Sequence, residues 1–453
     1  MVTRRRADVH RDRALPASSE PVIIEAGAEG GRAFPRRALA IALGASALGW
    51  CLLLTSTIRH PWVGLGNWGS DHFSHVFSTV LFMERGMEIY RRPIHELCAR
   101  PAANDPALLA AAQRYRATPG DLCWLDEDRR RAPLVINWAA FPRPYPPGQL
   151  LYFLPEALLF RYGGVAFEAL NAVAICKLVA MAHLCLWLLA LLVQGLRPPA
   201  LTWLALGLAY WLLVPWAMAG IYDGVAIAAL LGTVLLLQRG QSWFALAAGA
   251  CAFALHFRSL WYAPLLGYTA ARALRSLRGE ADGRWGWPAE LRGRPWSSAL
   301  VLGSLALAAL ALHAFVELLP WLGRFPVNNP LIHSALGPHK GDLWRLVLST
   351  ALVVAVLAWR RHGLLLAVVL CTTWALTRAP QNMPWHATFL VPALAVALVG
   401  RALPDARERA GERLGVALAW SLLVVSVAFS SPLQGSALDG TWVTYVVERI
   451  RGG

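Results

Sequence analysis

Long apolar segments alternate with short polar segments along most of the chain, and this pattern predicts membrane-spanning helices. A helix satisfies its backbone hydrogen bonds internally, as hydrocarbon requires. The strict alternation typical of a membrane barrel does not occur. We therefore predict an all-α polytopic membrane protein with about eleven transmembrane helices, at about 38–57, 166–193, 200–216, 221–237, 243–257, 260–271, 297–319, 343–358, 364–377, 385–399 and 414–429.

One apolar stretch, 149–160 in "YPPGQLLYFLPEALL", is too short for a span and contains Pro155. A spanning helix needs about 20 apolar residues, so we predict a re-entrant or interfacial piece here. If this piece does not cross the membrane, most arginine clusters fall on the same side as the N-terminus. That side is then the cytosol by the positive-inside rule.

The predicted topology divides the chain into a tail, a membrane domain and a short C-terminal segment. Residues 1–37 are polar and rich in arginine, and they predict a disordered cytosolic tail. Residues 38–430 form the predicted transmembrane domain, followed by an outer tail at 431–453. We expect a multi-pass protein of a bacterial inner membrane with a cytosolic N-terminus. Within the domain we predict a large first outer loop at 58–148 containing amphipathic helices, a cytosolic basic loop at 272–296 and an outer loop at 321–342.

Composition supports a membrane protein and argues against a nucleic-acid partner. The chain is 57% hydrophobic and 15% charged, and the net charge of +15 comes mostly from arginines in the tail and short loops. Such arginines contact anionic lipid. Seven cysteines occur without a CxxC pair, which argues against zinc. Cys98 and Cys123 share the predicted first outer loop, and we predict a disulfide between them.

Polar and ionisable residues collect at the predicted outer ends of the spans, and Lys177 is the exception inside a span. Each one alone has an ordinary interpretation as a helix cap, a surface histidine or a snorkelling arginine. Asp71 and His75 lie one helical turn apart, which is a weak pattern for a metal site. Taken together, these positions predict a polar cavity near the outer leaflet.

Four segments follow one another in an order that resembles the GT-C superfamily of membrane glycosyltransferases. They are "GSDHFSHVFSTVLFMERGMEIY", "YPPGQLLYFLPEALL", "GIYDG" and "HFRSLWYAPLL". The resemblance covers about residues 38–270 and is greatest for the mannosyltransferase-like branch, whose members have about ten to twelve spans. Many members have an acidic pair where this chain has Asp71 and His72, and others have lysine at the position of Arg258.

The resemblance implies an inverting glycosyltransferase that uses a polyprenyl-phosphate sugar. Its partners would be that donor, a lipid or glycan acceptor of the cell envelope, and membrane lipids, with no nucleic acid. Asp71 would be the general base, and we expect no cofactor and no metal. Arg258 would bind the donor phosphate, with His256, His333 and His339 as further candidates. The predicted substrate-binding residues are His75, Tyr145, Gln149, Tyr222 and Asp223.

The helix predicted after Asp71 has an apolar stripe with two possible roles. The stripe can lie along the membrane face and hold Asp71 beside the lipid head group, or it can pack the outer loop onto the spans. It consists of Phe73, Val76, Phe77, Val80 and Leu81.

Three other functional classes remain open from the sequence. A transporter or flippase is expected to have charged pairs or broken helices near the midplane, often in repeated halves. A polysaccharide polymerase or ligase would also have large outer loops and would differ in its lipid donor. A non-catalytic assembly scaffold would tolerate the loss of Asp71.

Overall fold

The computed structural model describes residues 35–57, 69–98, 142–165, 167–194, 199–218, 222–277, 295–322 and 388–399, with isolated residues at 104, 106, 109, 122–123, 134–135, 288 and 290–292. Some of these positions, among them 54–57 and 69–74, are described by their backbone alone. The fold prediction is confirmed in its coarse form, because these segments are helical apart from one two-residue strand pair.

The helices are numbered in chain order. They are α1 Arg36–Thr57, α2 Gly69–Arg85, α3 Ile94–Leu97, α4 Pro147–Tyr152, α5 Leu154–Tyr162, α6 Phe167–Val193, α7 Pro199–Met218, α8 Asp223–Gln238, α9 Ser242–Leu255, α10 Ala263–Leu277, α11 Pro295–Leu322 and α12 Leu390–Val399. Two 3₁₀ turns, Gly86–Tyr90 and Phe257–Tyr262, follow α2 and precede α10. The strands β1 Leu122–Cys123 and β2 Leu134–Val135 pair antiparallel.

Three described helices are long and apolar enough to cross a membrane. Their apolar segments are Arg36–Leu53, Ala172–Val193 and Pro295–Trp321. Shorter apolar helices run over Thr202–Val214, Asp223–Gln238 and Ser242–Leu255. The total of about eleven spans stays a prediction. The predicted spans at 343–358, 364–377 and 414–429 and most of 385–389 lie outside the described residues.

Large apolar side chains are exposed along α1 and α11, as expected for helices that face lipid. Only 6% of the apolar segment of α1 is buried inside the protein, whereas 56% of the apolar segment of α6 is buried. Water would make such continuous apolar surface unfavourable, whereas lipid tails cover it without cost. The exposed residues include Ile41, Leu48 and Leu52 on α1 and Leu300, Leu302 and Leu312 on α11.

The predicted re-entrant piece consists of two short helices. α4 has six residues and α5 has nine, and the regular helix is interrupted between them at Phe153. Pro155 lies at the start of α5, where its missing N–H leaves no helical hydrogen bond unmade. Neither helix is long enough to cross about 30 Å of hydrocarbon.

The predicted span at 260–271 and the basic loop at 272–296 need corrected boundaries. A 3₁₀ turn occupies Phe257–Tyr262, and α10 then continues to Leu277. The next helix, α11, already begins at Pro295. The sequence "ARALRSL" keeps helical spacing of its apolar residues, so the helix extends past the point where hydropathy falls.

The apolar stripe of α2 packs into the protein core. Val76, Phe77, Val80 and Leu81 are at most 2% exposed, which excludes the membrane-facing alternative for these four residues. They belong to the same core cluster as residues of α4 to α6. α2 therefore fastens the start of the predicted first outer loop onto the helical bundle. The side chain of Phe73 lies outside the described residues.

Cys98 is disulfide-bonded, as the predicted pairing requires. Its predicted partner, Cys123, lies in β1, and its side chain is outside the described residues. Cys51, Cys176, Cys185 and Cys251 form no disulfide bond. The identity of the partner therefore stays a prediction.

A chain of hydrogen bonds joins α1 to α6 and α7. Trp50 Nε1 donates to the Tyr210 hydroxyl at 2.9 Å, and the hydroxyls of Tyr210 and Ser46 are 3.0 Å apart. Ser46 is also 3.0 Å from His183 Nε2, while His183 Nδ1 donates to the carbonyl of Val179 at 2.7 Å. For a neutral imidazole, the donors then run in one direction from Trp50 to Val179, and every group is satisfied.

This chain also sets the direction of α1. Ser46 meets His183, and further along α1 the Cys51 thiol lies 3.8 Å from the carbonyl oxygen of Cys176. Residue numbers rise along α1 as they fall along α6, so the two helices are antiparallel. The C-terminal end of α1 and the N-terminal end of α6 consequently lie at the same end of the bundle.

We expect Tyr210→Phe to destabilise the protein, because it leaves the indole N–H of Trp50 and the hydroxyl of Ser46 short of a partner in an apolar setting. The expected loss is about 1–3 kcal/mol in the free energy of unfolding. Thermal unfolding of the detergent-solubilised protein measures it. Tyr162→Phe is the matched control, since Tyr162 is 72% exposed, and it should leave the transition unchanged. Equal transitions for both variants would contradict the role given to the Tyr210 hydroxyl.

Candidate functional site

Eight polar or aromatic side chains from four parts of the chain meet at one end of the bundle, and we call them the polar cluster. Six of them are buried, while Tyr145 and Arg258 are partly exposed. Their contacts link α2, the proline-rich segment with α4, the start of α8 and the turn after α9. The members are His75, Arg143, Tyr145, Gln149, Tyr222, Asp223, His256 and Arg258.

The turn after α2 positions Arg143. Gly86 adopts a positive φ of 57°, which ends α2 because residues with a Cβ are disfavoured there. The 3₁₀ turn that follows buries Ile89 and Tyr90 completely. The backbone N–H of Arg143 donates to the carbonyl of Ile89 at 2.7 Å. The proline-rich segment is thereby fixed alongside the end of α2.

A close backbone approach brings α4 against the end of α9. A Cβ added at Gly148 would lie 2.5 Å from the carbonyl oxygen of Ala254, so only glycine fits at this position. Pro146 and Pro147 begin α4 directly before this contact. Gln149 of α4 and His256 after α9 are thus held in one cluster.

His75 is the centre of one half of the cluster. The guanidinium of Arg143 donates to His75 Nδ1, and the amide nitrogen of Gln149 lies 3.1 Å from both ring nitrogens. The imidazole stacks on Phe153 with ring centroids 5.1 Å apart. Tyr222 meets it edge-on at 4.3 Å. Since Arg143 can only donate, His75 Nδ1 accepts, and the ring is neutral in this arrangement.

Tyr90 lies beside this half of the cluster and remains protonated at neutral pH. Burial raises the pKa of Tyr90 well above its ordinary value, and the positive charge of Arg143 opposes that shift in part. Arg143 also lies over the Tyr145 ring, 4.4 Å from its centroid. The guanidinium is therefore in contact with the face of the Tyr145 ring, which favours a cation electrostatically.

Asp223 and His256 form the other half of the cluster. The backbone N–H of Arg258 donates to His256 Nδ1 at 3.1 Å, so Nδ1 is the acceptor and the proton lies on Nε2. Nε2 is 3.0 Å from Asp223 Oδ1 and donates to it. Because both ring nitrogens are engaged, His256 orients Asp223 and has no free nitrogen for a proton transfer.

Arg258 is the cluster residue whose charge reaches the surface. Its Nη1 lies 3.6 Å from Asp223 Oδ2, which is ion-pair distance but too long for a hydrogen bond. The Arg258 side chain is 27% exposed, whereas that of Asp223 is 3% exposed. A guanidinium in this position can contact an anion at the surface while the carboxylate behind it stays fixed.

Two aromatic rings join the halves. Tyr222 stacks on His256 with centroids 5.4 Å apart and also contacts Tyr145 at 5.2 Å. Tyr222 touches His75 as well, so it is common to both halves. The cluster is one contiguous unit as a result.

A second ion pair supports the cluster from α6. Lys177 Nζ donates to Glu156 Oε1 at 2.6 Å and to the carbonyl of Tyr152 at 2.7 Å. Lys177 thus caps the last residue of α4 at the break between α4 and α5. The next residue, Phe153, stacks on His75. The lysine that the sequence places alone inside a span is in fact paired, and its ammonium group stabilises the break in the re-entrant piece.

Seven of the ten residues predicted to form the site lie in the polar cluster. Asp71 belongs to the first turn of α2, one turn before His75, but its side chain is outside the described residues. His333 and His339 are also outside the described residues. The seven residues that come together are His75, Tyr145, Gln149, Tyr222, Asp223, His256 and Arg258.

Sequence reasoning missed Arg143 and the partner of Lys177. Arg143 stands between prolines in "FPRPYPP", and an arginine in a loop is usually solvated. Glu156 is separated from Lys177 by 21 positions, and hydropathy alone does not pair them. The available signal was that each charge interrupts an apolar stretch, where an unpaired charge is costly.

No family model, curated protein or solved structure matches this chain. Within the part of the chain that the structure describes, no three side chains of His, Cys, Asp or Glu are grouped as metal ligands. The chemistry of the site is therefore inferred from its own residues.

We expect Lys177→Gln to be strongly destabilising, because it leaves the Glu156 carboxylate, 1% exposed, without its cation. Breaking a buried pair costs about 3–5 kcal/mol, and partial exposure of Lys177 places this case at or below that range. The double variant Lys177→Gln/Glu156→Gln should recover part of the loss. Unfolding of the solubilised variants measures both effects.

The exposed pair Arg92–Glu96 provides the control for this cycle. Its side chains are 52% and 43% exposed, so Arg92→Gln should cost less than about 1 kcal/mol. If Lys177→Gln cost no more than Arg92→Gln, the supporting role of Lys177 would be wrong.

Proposed function

We propose that this protein is an inverting glycosyltransferase that moves a hexosyl or pentosyl group from a polyprenyl-phosphate donor to a lipid or glycan acceptor at the outer membrane surface. The observation that carries the proposal is the convergence of seven predicted site residues in one cluster beside the helix that contains Asp71. The resemblance to membrane glycosyltransferases supplies the reaction class. The membrane-type helices supply the setting for a lipid-linked substrate.

Arg258 is the proposed ligand of the donor phosphate. It is partly exposed at the end of the bundle, and a guanidinium binds phosphate through two parallel hydrogen bonds. His256, a second candidate from the sequence, is 4% exposed and has both nitrogens engaged. Its role in the proposal is therefore to support Asp223 and Arg258.

Asp71 is the proposed general base. The acceptor hydroxyl attacks the anomeric carbon, its proton passes to the Asp71 carboxylate, and the bond between that carbon and the phosphate oxygen breaks. Polyprenyl phosphate leaves with the bonding electron pair, and its negative charge is stabilised by Arg258. A single displacement inverts the configuration at the anomeric carbon.

The contacts of Lys177 bear on the transporter alternative. A transporter is expected to carry charged pairs near the midplane, and Lys177–Glu156 is a charged pair. Its geometry has a local explanation, however, because the ammonium group caps the carbonyl of Tyr152 where α4 ends. A polymerase or ligase remains the closer alternative, and the donor distinguishes it.

The decisive experiment is a screen of radiolabelled polyprenyl-phosphate and polyprenyl-diphosphate sugars with membranes that contain the protein. Transfer from a monophosphate donor that depends on Asp71 supports the proposal. Transfer from diphosphate donors alone indicates a polymerase or ligase. Absence of transfer from every donor, with folded protein in the membrane, overturns the enzymatic proposal.

Asp71→Asn should insert into the membrane and bind the donor normally but lose turnover by about 10²–10⁴. Asparagine is almost the same size and accepts a hydrogen bond, yet it cannot take the proton. If Asp71 only caps α2, asparagine caps almost as well and turnover should be near normal. Transfer assays on reconstituted protein separate these outcomes.

A metal site at Asp71 and His75 has its own signature. Asp71→Asn and His75→Ala would then fail together, and a chelator would abolish activity of the wild-type protein. The proposal instead expects full activity of the wild-type protein in the presence of chelator.

Arg258→Ala should weaken donor binding about ten- to a hundredfold, because a charge-assisted contact contributes about 1.5–3 kcal/mol. Arg258→Lys should retain part of the affinity as a point charge. Binding of the polyprenyl-phosphate donor to detergent-solubilised protein measures both. Arg91→Ala is the control, since Arg91 is exposed and pairs with Glu317 outside the cluster. Unchanged donor affinity in Arg258→Ala would leave Arg258 as a snorkelling residue.

A further inference from the structure

The geometry points to Asp223 as an internal competitor for Arg258, one that is displaced when a lipid phosphate binds and that helps to expel the phosphate product afterwards. This inference rests on the proposed function and concerns the regulation of affinity at the same site. Three features carry it: the fixed position of Asp223, the loose contact to Arg258 and the difference in exposure between the two.

Asp223 is held in place by several contacts. Its Oδ1 accepts from His256 Nε2 at 3.0 Å, and the other nitrogen of His256 accepts from the backbone N–H of Arg258. The His256 ring is in turn stacked on Tyr222. Asp223 is the first residue of α8, where the helix dipole favours a negative charge. The carboxylate is therefore unable to follow a ligand outward.

The second oxygen of Asp223 is incompletely satisfied. Oδ2 is buried and has no hydrogen-bond partner among the described residues, and Arg258 Nη1 is 3.6 Å away. Charge-assisted hydrogen bonds between guanidinium and carboxylate are usually about 2.7–2.9 Å long. Asp223 and Arg258 therefore attract each other electrostatically, without the hydrogen bonds that would hold the two side chains tightly together.

Arg258 is the member of the pair that can move. Its side chain is 27% exposed, and the partner carboxylate is 3% exposed. A lipid phosphate at the surface offers two free acceptor oxygens in the donor and three in the released product, and it can approach a guanidinium closely, whereas the fixed Asp223 carboxylate stays 3.6 Å away. Arg258 can therefore turn from Asp223 to the phosphate and exchange a 3.6 Å ion pair for charge-assisted hydrogen bonds.

The buried carboxylate then has two effects on the bound phosphate. It attracts Arg258 back, and its negative charge repels the phosphate. Both effects lower the affinity of the site for phosphate and assist the release of polyprenyl phosphate after sugar transfer. A site without this competitor would bind its product more tightly and turn over more slowly.

The test is the binding of polyprenyl phosphate, which requires no sugar transfer. Asp223→Asn should tighten this binding about five- to fiftyfold, the usual range of coupling between two ligands of one group. In the Arg258→Gln background, the same substitution should give much less tightening, because the competition for Arg258 is gone and only the direct repulsion between Asp223 and the phosphate is relieved. Polyprenol, which lacks the phosphate, should bind equally to all variants.

Further arms identify the ligand and control for charge. Inorganic phosphate as competitor shows whether the site binds phosphate alone or needs the lipid chain. Glu317→Gln removes a partly exposed carboxylate outside the cluster and should leave the binding of polyprenyl phosphate unchanged. Thermal unfolding of every variant shows that the comparison is made between folded proteins.

Unchanged or weaker binding of polyprenyl phosphate by folded Asp223→Asn overturns the inference, as does equal tightening in the Arg258→Gln background. If Asp223→Asn does not fold, Asp223→Glu takes its place and should change the affinity for polyprenyl phosphate only when Arg258 is present; retained binding of polyprenyl phosphate by Arg258→Gln would overturn the inference, because Arg258 would then not be the contested group. Tightening by Asp223→Asn in a protein without transferase activity would preserve the competition and refute the proposed reaction. Transfer activity without tightening of polyprenyl phosphate binding would support the proposed reaction and refute the competition between Asp223 and the phosphate.

Discussion

Hydrocarbon offers no hydrogen-bond partners, so every polar group that this chain places among its apolar helices must be satisfied by the chain itself. The break between α4 and α5 shows the constraint most directly. Helical hydrogen bonding is interrupted there, and Lys177 donates to the carbonyl of Tyr152 while its charge is balanced by Glu156. The break between α4 and α5 therefore requires a lysine inside the neighbouring span. The same break brings Phe153 into contact with His75.

The same constraint explains the one-directional order of the donors in both polar networks. Between α1, α6 and α7 the donors run from Trp50 through Tyr210 and Ser46 to His183. In the polar cluster, His256 accepts on one nitrogen and donates on the other. A buried network in which each group has one defined partner resists rearrangement. Gln149 Oε1, Glu156 Oε2 and Asp223 Oδ2 depart from this order, because they are buried without a hydrogen-bond partner among the described residues, and of the three Asp223 Oδ2 lies 3.6 Å from the guanidinium of Arg258.

The sequence predicted the position of the polar residues better than their surroundings. Breaks in hydropathy mark the ends of helices. When two successive helices are antiparallel, the start of the first lies beside the end of the second, which is why Tyr222 and His256 meet. Helical spacing shows that α2 has an apolar side, but not what covers it. Lipid and protein core are equally apolar, so the burial of Phe77 and Val80 had to be observed. Arg143 and Glu156 were missed because their partners depend on backbone geometry at Ile89 and Tyr152, which no local pattern encodes.

The proposed base and the proposed phosphate ligand belong to different elements, α2 and the turn after α9. Their relative position depends on the contacts that run from His75 through Tyr222 to His256. Aromatic contacts of this kind are rigid and need no water, so they suit a site at the boundary of the membrane. In the proposed mechanism, Arg258 exchanges one anion for another while the frame behind it keeps its geometry. A fixed frame with one movable charge would let such a site bind an anionic lipid and still release it.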